Sequence, residues 1–115
     1  MGKFLKNINL KNKVAVVTGA TKGIGRATAI SLHQVGANII AIGRNQNELN
    51  SLRKKLKIRV KIFSCDVNDY EKIKKIIYGL SRVDILVNNA GTNLPESFLK
   101  VKKGHEGQFR TLMKI

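Results

Sequence analysis

The spacing of apolar positions switches between two periods along the chain. Val14-Ala15-Val16-Val17 is a short apolar run that ends at Thr18-Gly19, which predicts a fully buried strand. Residues 23 to 35 then read as a helix, with small Ala27, Thr28 and Ser31 along one face and Gly36 as its stop. Asn38 to Gly43 contains Ile39-Ile40-Ala41-Ile42, a second buried strand. Asn45 with Glu48 three residues on resembles a capping box, and Leu49, Leu52 and Leu56 follow at the spacing of one helical face. Arg59 to Phe63 alternates basic and apolar residues, with Val60 and Ile62 inward, as a third strand nearer an edge would. Asp69 is placed to cap the next helix, where Ile73, Ile76, Ile77 and Leu80 recur. Val83 to Val87 forms a fourth strand running into Asn88-Asn89-Ala90-Gly91. Beyond it the pattern weakens, and Phe109, Leu112 and Met113 predict a last helix cut off at Ile115.

Strands alternating with helices imply an α/β fold, a doubly wound parallel sheet of Rossmann type. The expected strand order is 3-2-1-4, truncated after the fourth strand. The whole chain reads as one partial dinucleotide-binding domain, with its core at 12–91 and with 92–115 as the opening of the next helical segment. Such a truncation would leave Ile85-Leu86-Val87 as an apolar sheet edge with unpaired backbone groups. Ligands of these sheets bind beyond the carboxyl ends of the strands, where the strand order reverses. Both glycine-bearing motifs, at 18–25 and 88–91, fall at that end.

Gly19, Gly23 and Gly25 stand between a buried strand and a helix, in the pattern T-G-x-x-x-G-x-G. A pyrophosphate needs backbone N–H groups without intervening side chains, at the positive end of a helix dipole. Glycines permit both the turn and the close approach.

Three segments occur in order: Thr18-Gly19-Ala20-Thr21-Lys22-Gly23-Ile24-Gly25, Cys65-Asp66-Val67, and Asp84-Ile85-Leu86-Val87-Asn88-Asn89-Ala90-Gly91. Together they resemble the short-chain dehydrogenase/reductase family over residues from about 10 to 100. The chain is similar to 3-oxoacyl-(acyl carrier protein) reductases and to sugar or steroid dehydrogenases about equally. The resemblance implies that the loop (Gly19, Thr21, Lys22, Gly23, Ile24, Gly25) holds the cofactor phosphates. It further implies that Asp66, with Val67 beside it, hydrogen-bonds the adenine amino group. By the same resemblance Asn88 steadies the sheet, and Asn89, Ala90 and Gly91 border the adenosine ribose. The activity implied is hydride transfer between a nicotinamide and a carbonyl or alcohol, in a homo-oligomeric full-length parent.

Charge argues the choice of cofactor. An NAD site places Asp or Glu about 20 residues past the loop, on the ribose hydroxyls. Here Gly43-Arg44-Asn45 stands there, with no acid before Glu48. Lys22 and Arg44 can embrace a 2′-phosphate, and two desolvated contacts of about 1.5–3 kcal/mol each imply a roughly hundredfold preference for NADP over NAD.

The family's catalytic asparagine, serine, tyrosine and lysine follow the Asn-Asn-Ala-Gly motif, and by alignment the first would come just after Ile115. No catalytic residue is therefore assigned. Tyr70-Glu71-Lys72-Ile73-Lys74 fits Tyr-x-x-x-Lys but precedes the fourth strand and reads as a coincidence on a lysine-rich helix. His33 and His105 read as structural or exposed.

The net charge of +15, from 22 Lys and Arg against 7 Asp and Glu, is scattered over expected loops and polar faces. Few aromatics interleave with the bases, which argues against a nucleic-acid-binding module. Hydrophobic residues at 43% suit a packed core, and Cys65, the single cysteine, excludes an internal disulfide. No metal site is expected. No apolar run approaches the roughly 18 residues of a membrane span, and no signal peptide is legible, so the chain reads as cytoplasmic. The second reading is a non-catalytic remnant or a split-protein partner.

Overall fold

The computed structural model describes residues 8–89 and the backbone of 109–114. The elements are β1 (Val14–Thr18), α1 (Gly23–Gln34), β2 (Asn38–Gly43), α2 (Gln46–Leu56), β3 (Val60–Ser64), α3 (Tyr70–Tyr78), β4 (Val83–Asn88) and β5 (Phe109–Lys114). All strand pairings are parallel, in the order β3-β2-β1-β4-β5. The predicted order 3-2-1-4 is present, and the sheet continues by one strand.

That fifth strand corrects two expectations. Phe109 to Lys114 is extended, not helical, and pairs in register with β4, Ile85 opposite Thr111 and Val87 opposite Met113. The backbone N–H and C=O groups along β4 offer a strand immediate partners. For the same reason Ile85-Leu86-Val87 is not a bare edge, because β5 covers it.

Alternation along the central strands divides the core between the two faces. Ala15, Val17, Ile39 and Ala41 point to one face, where Ala29 and Leu32 of α1 and Leu49, Leu52 and Leu56 of α2 cover them. Val16, Ile40, Ile42 and Leu86 point to the other, beneath Ile73 and Ile77 of α3. Among the described residues the result is a three-layer sandwich with two helices on one side and one on the other. The small-residue face of α1 is formed by Gly25, Thr28, Ala29 and Ser31. Ala27, expected there, faces solvent, since it lies about 100° round the helix from Thr28.

Cap chemistry fixes where α2 and α3 begin. Asn45 Oδ1 accepts the Glu48 N–H at 3.0 Å, and Asp69 Oδ1 accepts the Lys72 N–H at 3.3 Å. At the amino end of the sheet, Asp84 is only 4% exposed and accepts the Val14 N–H at 2.8 Å and Arg82 Nε at 2.7 Å. Burial alone would raise its pKa. The Arg82 hydrogen bond, the Val14 N–H and the nearby charges of Arg82 and Lys13 outweigh burial and hold it below the usual carboxylate range. His33 has a structural role, with its Nε2 against the Ile58 carbonyl at 2.8 Å.

Candidate cofactor-binding site

The carboxyl ends of β1, β2 and β3 open onto a cleft of about 640 Å³, a volume typical of small-molecule and cofactor sites. Gly19, Thr21, Lys22, Arg44, Asp66, Val67 and Asn89 line it, and all seven are predicted site residues. Gly23, Ile24 and Gly25 are not in its wall. Ala90 and Gly91 lie outside the described residues.

The glycine loop leaves β1 with Gly19 at φ 62° and enters α1 with Gly23 at φ 59°, the left-handed region that side chains with a Cβ avoid. Gly25 is needed for space. A Cβ there would overlap both the Gly19 carbonyl oxygen and Asn89 Nδ2. Those two groups are themselves joined, Asn89 Nδ2 donating to Gly19 O at 3.3 Å. The loop is thus braced against the end of β4. Ile24 is 61% exposed at the head of the helix.

The start of α1 differs from that of its neighbours. Lys22 occupies the N-cap position in extended conformation, with no side-chain cap bond and no acidic residue in the first turn. The N–H groups at a helix start have no intrahelical acceptor and carry the positive end of the dipole. Above Gly23 the space where a Cβ would stand is empty to 4 Å. Open N–H groups and a glycine surface are the donor set that a pyrophosphate requires.

Across the cleft, Arg44 and Asp66 face each other at 3.9 Å, with side chains 80% and 44% exposed. A pair this exposed is worth less than about 1 kcal/mol, so Arg44 can turn to another anion at small cost. Its backbone is held more firmly, because Ser64 Oγ donates to Arg44 O at 3.1 Å and Lys72 Nζ donates to Ser64 O at 3.0 Å. Asp66 Oδ1 accepts the Asn68 N–H at 2.9 Å.

Gly43, Asn45, Glu48, Cys65 and Asn68 also line the cleft, without having been singled out as site residues. They flank the ends of β2 and β3, so strand-end position is the signal that could have found them. Cys65 is buried, and burial pushes its thiol pKa up, with Asp69 and Asp66 adding to the rise against the opposing pull of Lys72. It is a wall residue with little thiolate character.

The model of the short chain dehydrogenase family matches residues 13–115. The chain belongs to the short-chain dehydrogenase family. An uncharacterised oxidoreductase of Staphylococcus epidermidis is 44% identical over 89 residues, covering 74% of this chain and 39% of that protein. Human L-xylulose reductase is 38% identical over 94 residues, 82% of this chain and 38% of the relative. The 3-oxoacyl-(acyl-carrier-protein) reductase of Rickettsia conorii is 38% identical over 95 residues, 83% of this chain and 39% of the relative. Among solved structures, 2-keto-3-deoxy-D-gluconate dehydrogenase from Streptococcus agalactiae superposes with a TM-score of 0.65 at 36% identity, over 84% of this chain and 40% of that one. The chain spans about two fifths of the length of these short-chain dehydrogenase relatives. No helix among the described residues is long and apolar enough to cross a membrane.

Proposed function

We propose that this chain binds NADP(H) in the cleft at the ends of β1, β2 and β3. It would form the cofactor-binding part of a cytoplasmic oxidoreductase that moves hydride between the nicotinamide and a carbonyl or alcohol. The cofactor supplies the hydride. The chain's own residues bind and orient it: the N–H groups at the start of α1 take the pyrophosphate, Lys22 and Arg44 the 2′-phosphate, and Asp66 and Asn89 the adenosine.

The observation carrying this reading is that Lys22 and Arg44 line the same cleft, Arg44 directly after Gly43, where an NAD site would hold an acid. A sugar reductase and an oxoacyl reductase are equally identical to the chain, at 38%. The substrate class is therefore kept to a carbonyl or alcohol, in a homo-oligomeric parent. No residue of this stretch is assigned to catalysis. In particular, Lys74 Nζ lies 5.9 Å over the Tyr78 ring, a packing partner for the lysine of the Tyr-x-x-x-Lys coincidence.

Fluorescence titration of the chain with NADPH and NADH tests the proposal. NADPH is expected to bind at least about tenfold more tightly. Equal affinity would remove the roles given to Lys22 and Arg44, and absence of binding by either would overturn the reading. No turnover is expected with NADPH and a panel of ketones, and clear turnover would refute the missing catalytic assignment.

A further inference from the structure

Glu48 is the cleft carboxylate that the reading above leaves unused. It sits in the first turn of α2, half-buried, and lines the same cleft as Gly43, Arg44 and Asn45. Its sequence position suggests a reciprocal capping box, but only half of that box forms. The Glu48 N–H goes to Asn45 Oδ1, whereas among the described residues the Glu48 carboxylate makes no hydrogen bond and no ion pair.

The other cleft acid, Asp66, is given to the adenosine in the reading above. Asp66 holds the Asn68 N–H with one oxygen and faces Arg44 with the other. The end of β2 itself supplies no acid, because Gly43 stands there. A Cβ on Gly43 would come within 2.6 Å of Thr21 Cγ2, so a larger residue there forces the Thr21 side chain to shift. A carboxylate serving the ribose subsite has to come from the next turn of chain, and Glu48 is the acid that α2 presents there.

We propose that Glu48 is a specificity-determining residue that acts against Lys22 and Arg44. Its carboxylate accepts hydrogen bonds from the adenosine ribose hydroxyls of NAD(H) and repels the 2′-phosphate of NADP(H). The chain therefore takes both dinucleotides, with the preference set by the balance of two cations and one anion. This inference rests on the dinucleotide reading of the cleft.

Titration of the full chain and its Glu48→Gln variant with NADPH and NADH, at low and at physiological salt, tests it. Because the Glu48 carboxylate bonds nothing among the described residues and its N–H still reaches Asn45, the variant should keep its far-UV spectrum and lose at most about 1 kcal/mol of stability from the helix dipole. NADH affinity is expected to fall about fivefold, as a charge-assisted acceptor becomes a neutral one. NADPH affinity is expected to rise about threefold, and that gain should shrink with salt as a repulsion between charges does. Equal changes for the two cofactors, or none, would overturn the role of Glu48 while leaving the binding reading intact. Failure of the unmodified chain to bind either dinucleotide would overturn both.

Discussion

Thr18 Oγ1 donates to Asn88 Oδ1 at 2.9 Å, across the seam between β1 and β4 where the strand order reverses. The same hydroxyl accepts the backbone N–H of Asn89 at 3.0 Å. Both side chains are buried, so the bond is sheltered from water and ties the two glycine-bearing ends of the sheet together. Thr18→Val keeps the shape and deletes the hydroxyl, removing its bond to Asn88 Oδ1 and the acceptor of the Asn89 N–H. A loss of about 1–3 kcal/mol is expected, read as a lower urea midpoint. Weaker NADPH binding should accompany it.

Gly25→Ala should be costlier for binding than its size suggests. The added methyl meets the Gly19 carbonyl, backbone that does not give way as a side-chain tip would, as well as the side-chain amide of Asn89. Overpacking of this kind costs about 1–3 kcal/mol. An NADPH titration should show at least a tenfold loss, together with a lower melting temperature.

Lys22→Ala and Arg44→Ala separate the two cations of the cleft. Each should weaken NADPH by about tenfold and leave NADH within about twofold, since a charge-assisted contact to phosphate is lost and nothing is lost to a hydroxyl. Isothermal titration with both cofactors reads the difference. Loss of both cofactors in parallel would point to a general structural role instead.

Asp84 makes stability depend on pH. Its pKa is lowered in the folded chain, so its contribution is present above the unfolded carboxylate value and is lost as pH falls through the folded value. Melting temperature should therefore drop on acidification below the ordinary carboxylate range. In Asp84→Asn that acid limb should be shallower, with lower stability at neutral pH. Scanning calorimetry across acidic buffers checks both.

Periodicity and turn chemistry made most of the fold legible before any coordinates. Val16 and Val17 are buried as the apolar run predicts, Asn45 and Asp69 cap their helices, and Leu49, Leu52 and Leu56 are buried together. The misses have physical causes. Phe109, Leu112 and Met113 match a helical spacing, but a segment this short follows its tertiary surroundings, and an adjacent strand offers ready hydrogen bonds. Seven of the twelve proposed site residues meet in one cleft because their motifs end strands of one sheet. The half-made capping box at Glu48 could not be read from the chain, since sequence spacing says that a carboxylate can reach an N–H and not that it does.

The bare start of α1 has a consequence for the life of the chain. A helix whose first N–H groups have no side-chain acceptor is completed by whatever anion settles there. Ligand at a hundred times its Kd adds about 2.7 kcal/mol to folding stability. A protease samples the opened population, so degradation should slow as the dinucleotide supply rises.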